Sequence, residues 1–286
     1  MRLILILTTL LAFQSAALSE FDELKALADK GDADAQFYLG NVYLNGEGLL
    51  KNEAEAAKWY RKAARQGHTR AQFNLAQAYR IGKGVLIDDA EAAKWYRKAA
   101  EQGDANAQHN LALCYINGTG VPETVSEAIK WYRKAAEQGI ANAQFSLGNM
   151  YDIGRGVPKD DAEAVNWYRM AAEQGYVDAQ YNLGNMYSNG IGVQKDDAEA
   201  VNWYRMAAEQ GYADAQYNLG IIYATGKGVP VDYIQAYVWW SISKRLGDSD
   251  AAANLNILKS RMSSQQTSVA QALATKCYES KYKECD

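Results

Sequence analysis

Apolar residues return along this chain with a helical beat. Ala35, Leu39 and Tyr43 fall at i, i+4 and i+8, the stripe of one buried helix face, and Ala71, Leu75 and Tyr79 repeat it. A second stretch carries Ala56, the pair Trp59-Tyr60, and Ala63-Ala64, small residues beside a large aromatic one. Both stretches recur in a fixed register. Glutamine stands at 36, 72, 108, 144, 180 and 216, and tryptophan at 59, 95, 131, 167, 203 and 239, each series stepping by 36 residues. A period without insertions predicts a solenoid, in which each unit packs mainly on its neighbours.

The polar positions predict where the helices stop and start. Gly-x-Gly, as in Gly82-Lys83-Gly84 or Gly154-Arg155-Gly156, closes each first helix by supplying positive φ. It follows a helix, whereas a phosphate-binding glycine loop follows a strand, so nucleotide binding is not expected. Second helices open with Asn52/Glu55, Asp88/Glu91, Thr124/Glu127, Asp160/Glu163, Asp196/Glu199 and Asp232/Gln235, all at capping-box spacing. Inside the first helix a small residue recurs: Gly40, Ala76, Ala112, Gly148, Gly184 and Gly220. Glycine costs a helix about 1 kcal/mol against alanine, so the predicted reason is close approach of a neighbouring helix.

The frame divides the chain into a capping half-repeat at 20–31, repeats at 32–67, 68–103, 104–139, 140–175, 176–211 and 212–247, and a degenerate repeat with a C-terminal cap at 248–286. In that last part Asp250 to Met262 is predicted as a seventh first helix and Ser264 to Tyr278 as a capping helix. Before the repeats, Arg2 precedes an apolar run from Leu3 to Phe13 and the small residues Ser15-Ala16-Ala17-Leu18-Ser19. That order predicts a signal peptide at 1–19, cleaved after Ala17 or Ser19, and hence an exported, periplasmic or secreted protein. No other apolar run reaches the ~20 residues of a membrane helix.

Charge removes one class of partner. The formal charge is −4, or about −5 without Arg2, so the basic stripe of a nucleic-acid binder is missing. Candidate chemistry is sparse. His68 and His109 are the only histidines and stand in no metal-ligand cluster, so neither metal nor cofactor is expected. Ser241-Ile242-Ser243-Lys244 reads Ser-x-x-Lys without the companion motifs of penicillin-recognising enzymes. Cys114 takes an apolar position and is predicted to be a core thiol. An oxidising compartment favours a disulfide between Cys277 and Cys285. One helix through both would hold them ~12 Å apart, so the bridge requires a break near Ser280.

The frame Ala-x-Ala-Gln-x-x-Leu-Gly-x-x-Tyr-x-x-Gly-x-Gly-Val-x-x-Asp-x-x-Glu-Ala-x-x-Trp-Tyr-x-x-Ala-Ala-x-Gln-Gly resembles the Sel-1-like repeat, a relative of the tetratricopeptide repeat, from about Gly31 to Gly247. The resemblance implies an all-α fold, a right-handed α/α superhelical solenoid of helix-turn-helix repeats with capping helices. It also implies an adaptor with a concave groove, in exported bacterial members tied to host interaction or envelope assembly. A cysteine-rich branch of the family implies a different role, penicillin binding or weak β-lactamase-like hydrolysis, but carries Cys-x7-Cys in each repeat, a spacing found here once. Glycan binding in the envelope is a third reading.

Repetition itself argues against catalysis. Lys159 to Tyr176 and Lys195 to Tyr212 are identical, whereas an active site needs one asymmetric constellation. The expectation is therefore a monomeric, non-enzymatic binder of a protein or peptide. Its predicted groove residues, off the buried stripe, are Phe73, Asn74, Gln77, Asn110, Phe145, Asn149, Tyr181, Asn182, Asn185, Tyr217 and Asn218. They supply aromatic surface and amides able to bond an extended backbone. The same positions can instead serve packing between repeats.

Overall fold

The computed structural model describes residues 20–46 and 50–286; the predicted signal peptide at 1–19 lies outside the described residues. Among the described residues every regular element is a helix. Helix α1 spans 20–29. Six helix pairs follow: α2 (Ala33–Asn45) with α3 (Glu53–Arg65), α4 (Thr69–Ile81) with α5 (Asp89–Glu101), and α6 (Ala105–Asn117) with α7 (Val125–Glu137). The next three are α8 (Ala141–Ile153) with α9 (Asp161–Glu173), α10 (Val177–Asn189) with α11 (Asp197–Ala208), and α12 (Ala213–Thr225) with α13 (Tyr233–Arg245). Helices α14 (Ser249–Lys259) and α15 (Ser264–Glu279) close the chain, within a residue or three of the predicted bounds. The chain forms two compact units, one running to Gln138 and the other from Gly139 to Asp286.

The apolar stripe is the core in both units. Leu39, Leu75 and Leu111 in the first unit, and Leu147, Leu183 and Leu219 in the second, are fully buried. Each contributes about 1.5–3 kcal/mol by leaving water. In the first unit α1 seals the end, with Phe21 and Leu24 against Ala28, Ala35, Leu39 and Trp59. In the second, α13 packs on both α14 and α15, burying Trp239 completely.

Gly-x-Gly divides its labour. Gly190 takes φ 70° as the C-cap of α10, its N–H donating to the Met186 carbonyl. Gly192, at φ 66°, lies against the backbone of Asp161 and Ala162, where a Cβ would overlap the Asp161 carbonyl. The first glycine ends the helix; the second lets this turn close onto the preceding repeat.

Helix starts differ from the expected boxes in one respect. Asn52, Asp88, Asp160, Asp196 and Asp232 each accept from backbone N–H groups in the first turn. The return bond goes elsewhere: the N–H of Asn52, Asp88, Asp160, Asp196 and Asp232 donates to the carbonyl of Tyr43, Tyr79, Tyr151, Tyr187 and Tyr223. That bond ties the start of the second helix to the end of the first, leaving the glutamate free to meet a lysine, as Glu55 meets Lys58 at 2.6 Å. Thr124 makes no side-chain cap bond; its hydroxyl donates to the Pro122 carbonyl at 3.1 Å. Among the described residues the complete capping box is that of Ser263 with Gln266.

The helix that approaches the recurrent small residue is the second helix of its own repeat, and it does so through a tyrosine ring. A Cβ on Gly148 would stand 2.7 Å from the Tyr168 ring, and one on Gly184 2.8 Å from the Tyr204 ring. The glycine is the seat of a tyrosine from the second helix of its own repeat.

Candidate partner-binding face

Those tyrosines anchor polar clusters that include the predicted groove residues. Tyr168 donates to Asn149 at 2.5 Å and Tyr204 donates to Asn185 at 2.6 Å, as Tyr60 does to Asn41 at 2.7 Å. The first-helix amide of the following repeat lies near enough to act on the same hydroxyl and favour its ionised form: Asn74 on Tyr60, Asn182 on Tyr168, Asn218 on Tyr204. Burial, partly offset by Asn74, pushes the Tyr60 hydroxyl up to about 12, and burial holds Tyr168 and Tyr204 well above the usual tyrosine range. These hydroxyls are therefore neutral donors, not acid–base groups.

The aromatic positions pack on the same tyrosines. Phe73 lies 6.0 Å from Tyr96 and Phe145 5.7 Å from Tyr168, ring centre to ring centre. Phe145 also stacks on Tyr176 at 4.8 Å, and Tyr181 repeats the arrangement with Tyr204 at 6.0 Å and Tyr212 at 4.9 Å. The backbone carbonyl of Tyr217 accepts from the Trp240 indole at 3.1 Å. Gln77 accepts both guanidinium contacts of Arg80, and Asn110 is half-buried on α6. Every predicted groove residue is half-buried, with one side in the packing and one facing water. The side turned inward is held by that packing.

Repeat 2 lacks this cluster. Its small position is Ala76, and Gln77 stands where Asn149 and Asn185 stand in later repeats. The Tyr96 hydroxyl is buried without an acceptor; the Arg80 guanidinium acting on it can only donate. Burial pushes it up to about 12.

Two further networks were not legible as functions of their residues. Gln180 donates to the Ala172 carbonyl at 3.1 Å and accepts from Gln210 at 2.8 Å. The same amide ladder links Gln72 to Ala64 and Gln102, and Gln108 to Ala100 and Gln138. Arg61, Arg97, Arg169 and Arg205 each donate to a tyrosine of the next repeat: Tyr79, Tyr115, Tyr187 and Tyr223. Invariant spacing signalled these residues; only the geometry shows that the glutamines form bonds across the repeat joint.

The remaining candidates fall into structural roles. His68 caps α4 through Nδ1, stacks on Phe37 at 4.6 Å and directs Nε2 to Asp34 at 3.2 Å. Burial lowers the pKa of His109, which packs on Tyr132. Burial likewise holds the Cys114 thiol up at about 11. No group of three or more metal-ligating side chains occurs among the described residues. Helix α15 ends at Glu279, Lys281 and Tyr282 take positive φ, and the chain returns so that Cys277 and Cys285 are joined with Cα atoms 4.4 Å apart. Ser241 and Lys244 share one turn of α13 beside a cavity of the C-terminal cap.

Tandem antiparallel helix pairs, joined by glycine turns and amide ladders, define a helical repeat protein. Comparison places it more narrowly. The Sel1 repeat matches at 33–68, 69–104, 105–140, 141–176, 177–212 and 213–248, and the chain belongs to the Sel1 repeat family. It is similar to a protective antigen of uropathogenic Escherichia coli strains with an SLR fold, at 34% identity and TM-score 0.66, over 93% of this chain and 68% of that one. It is also similar to a Sel1 repeat protein from Oxalobacter formigenes, at 37% identity and TM-score 0.65, over 79% of this chain and 99% of that one. No curated protein matches it significantly. Sel1 repeat proteins are generally protein-interaction scaffolds and typically non-catalytic. No helix among the described residues is long and apolar enough to cross a membrane.

Proposed function

We propose that this protein is an exported, monomeric scaffold that holds a protein or peptide partner on the faces of its first helices, the groove expected of the family. One observation carries the reading: the same half-buried aromatic-and-amide set recurs from repeat to repeat, as Phe145 with Asn149, Tyr181 with Asn182 and Asn185, and Tyr217 with Asn218. A repeated ledge suits an extended chain, whose backbone offers donors and acceptors at regular intervals. The signal-like sequence at 1–19 supports a periplasmic or secreted setting, where host interaction or envelope assembly would supply the partner.

The test starts with cross-linked capture from native envelope or host extract, followed by affinity measurement with the isolated partner. Asn182→Ala with Asn218→Ala is expected to weaken that affinity about tenfold per folded molecule, as each lost amide removes about 0.5–1.5 kcal/mol. Both amides also lie near a tyrosine hydroxyl, so melting temperature is read in parallel. Unchanged affinity of the folded fraction would show the amides to be structural and end the reading.

A further inference from the structure

The C-terminal cap holds the place where the repeat chemistry is abandoned. Within the second unit Arg169 donates to Tyr187 and Arg205 to Tyr223, a bridge across each joint. One period later these positions are Ser241 and Lys259, so the bridge is gone and both substitutes line a cavity of about 300 Å3. Two more frame positions change there. Ala172 and Ala208 become Lys244, and Glu173 and Glu209 become Arg245, an acid replaced by a base.

Three helices shape the cavity. Tyr237, Ser241, Lys244 and Arg245 face it from α13, Leu255 and Lys259 from α14, and the segment around Thr275 from α15. Its cations are Lys244, Arg245 and Lys259, and among the described residues no carboxylate lines it. None of the three joins an ion pair among the described residues. Arg245 is held 4.5 Å over the Tyr278 ring, and Lys259 lies 5.9 Å from the Tyr237 ring. Tyr237 and Leu255 are buried and give the cavity an apolar side. In a chain of net charge −4, three unpaired cations around one recess form a local positive field that an anion would neutralise.

We propose that this recess is a binding site for a small organic anion with an apolar body and a carboxylate or phosphate head. The head would meet Arg245 and the two lysines in charge-assisted bonds, with Ser241 as a further donor; the body would cover Tyr237 and Leu255. The volume is at the small end of ligand pockets, which suits one aromatic ring and its head group. This site is independent of the face proposed for the macromolecular partner.

Calorimetric titration of the full chain with phenyl phosphate and with phenylacetate tests it and separates the two heads, with 2-phenylethanol as the uncharged comparison. Saturable binding of at least one anion is expected, weakening as salt rises, with no binding of the alcohol. Arg245→Gln and Lys259→Gln should each weaken it about tenfold, and Lys62→Gln, on an exposed lysine of the first unit that does not line the recess, should leave it unchanged. Ser241→Arg with Lys259→Tyr restores the bridge of the other repeats; it should abolish binding while the protein melts no lower. Absence of binding for both anions, equal binding of the alcohol, or retained affinity in the restored-bridge variant would overturn the proposal.

Discussion

In the fifth repeat Gln210 donates to Gln180, Arg205 donates to Tyr223, and the Tyr204 ring rests against Gly184 with its hydroxyl on Asn185. Thirty-six residues on, Leu246, Ser241 and Trp240 stand at the positions of Gln210, Arg205 and Tyr204. The consequences are local and readable. Gln216 keeps its bond to the Ala208 carbonyl but its Oε1 is buried without a partner. Trp240 presses on Gly220 and donates to the Tyr217 carbonyl. Ser243, where the fifth repeat has Ala207, bonds Asp248 at 2.7 Å and the Ala213 carbonyl at 3.3 Å. An internal repeat must match a copy of itself on both sides, so its joints use one reciprocal set of bonds. The sixth repeat meets α14 and α15 instead, and its side chains answer that different surface.

The largest expected contrast lies in the ladder. Gln180→Leu removes a bond to the Ala172 carbonyl, which keeps the Gly175 N–H, and removes the acceptor of Gln210; two bonds lost predict about 1–3 kcal/mol in urea unfolding. Gln216→Leu also removes one bond, to the Ala208 carbonyl, which keeps the Gly211 N–H, but takes away an oxygen that is already unsatisfied, so its cost should be clearly smaller. Equal costs would mean that the ladder bond between glutamines adds nothing.

The glycine seats give the next contrast. Gly184→Ala regains about 1 kcal/mol of helix propensity and meets a tyrosine ring that can shift, as the pairing of Ala76 with Tyr96 in this same chain implies. Gly220→Ala meets the wider Trp240 indole, pinned by its bond to Tyr217, and overpacking there should cost about 1–2 kcal/mol net. Thermal melts of the two variants moving together would refute the idea that the second-helix aromatic sets the glycine.

Period, helix bounds and core were legible because each rests on local pattern: Leu183 recurs at helical spacing, and Asp196 precedes a helix by the rule that orphan N–H groups need an acceptor. What Asp196 does with its own N–H was not legible. Its partner, the Tyr187 carbonyl, is brought near only by the turn through Gly190 and Gly192. The candidate face was legible as a set of positions but not as a set of bonds. Asn182 and Asn185 sit three residues apart on one helix, yet they serve tyrosines from different repeats, Tyr168 and Tyr204. Such pairing depends on the packing of helices separated in sequence. The cationic recess was hidden for the opposite reason: Ser241 and Lys259 look like decay of the period until one cavity shows both among its lining residues, from two different helices.

Restoring one letter of the frame gives the smallest and most direct test of that contrast. Leu246 is 43% exposed and occupies the C-cap of α13, as Gln174 does that of α9, and it stands one period after Gln210. Leu246→Gln therefore removes little buried apolar area, and its amide would reach the Gln216 Oε1 as Gln210 reaches Gln180 at 2.8 Å. Satisfying that buried oxygen should stabilise the protein by about 0.5–1.5 kcal/mol, read as a raised urea midpoint with unchanged slope. Gln216→Leu in the same background should erase the gain, because the new amide then has no acceptor. A gain that survives Gln216→Leu would trace to the loss of an exposed leucine, and the ladder would not extend into the sixth repeat.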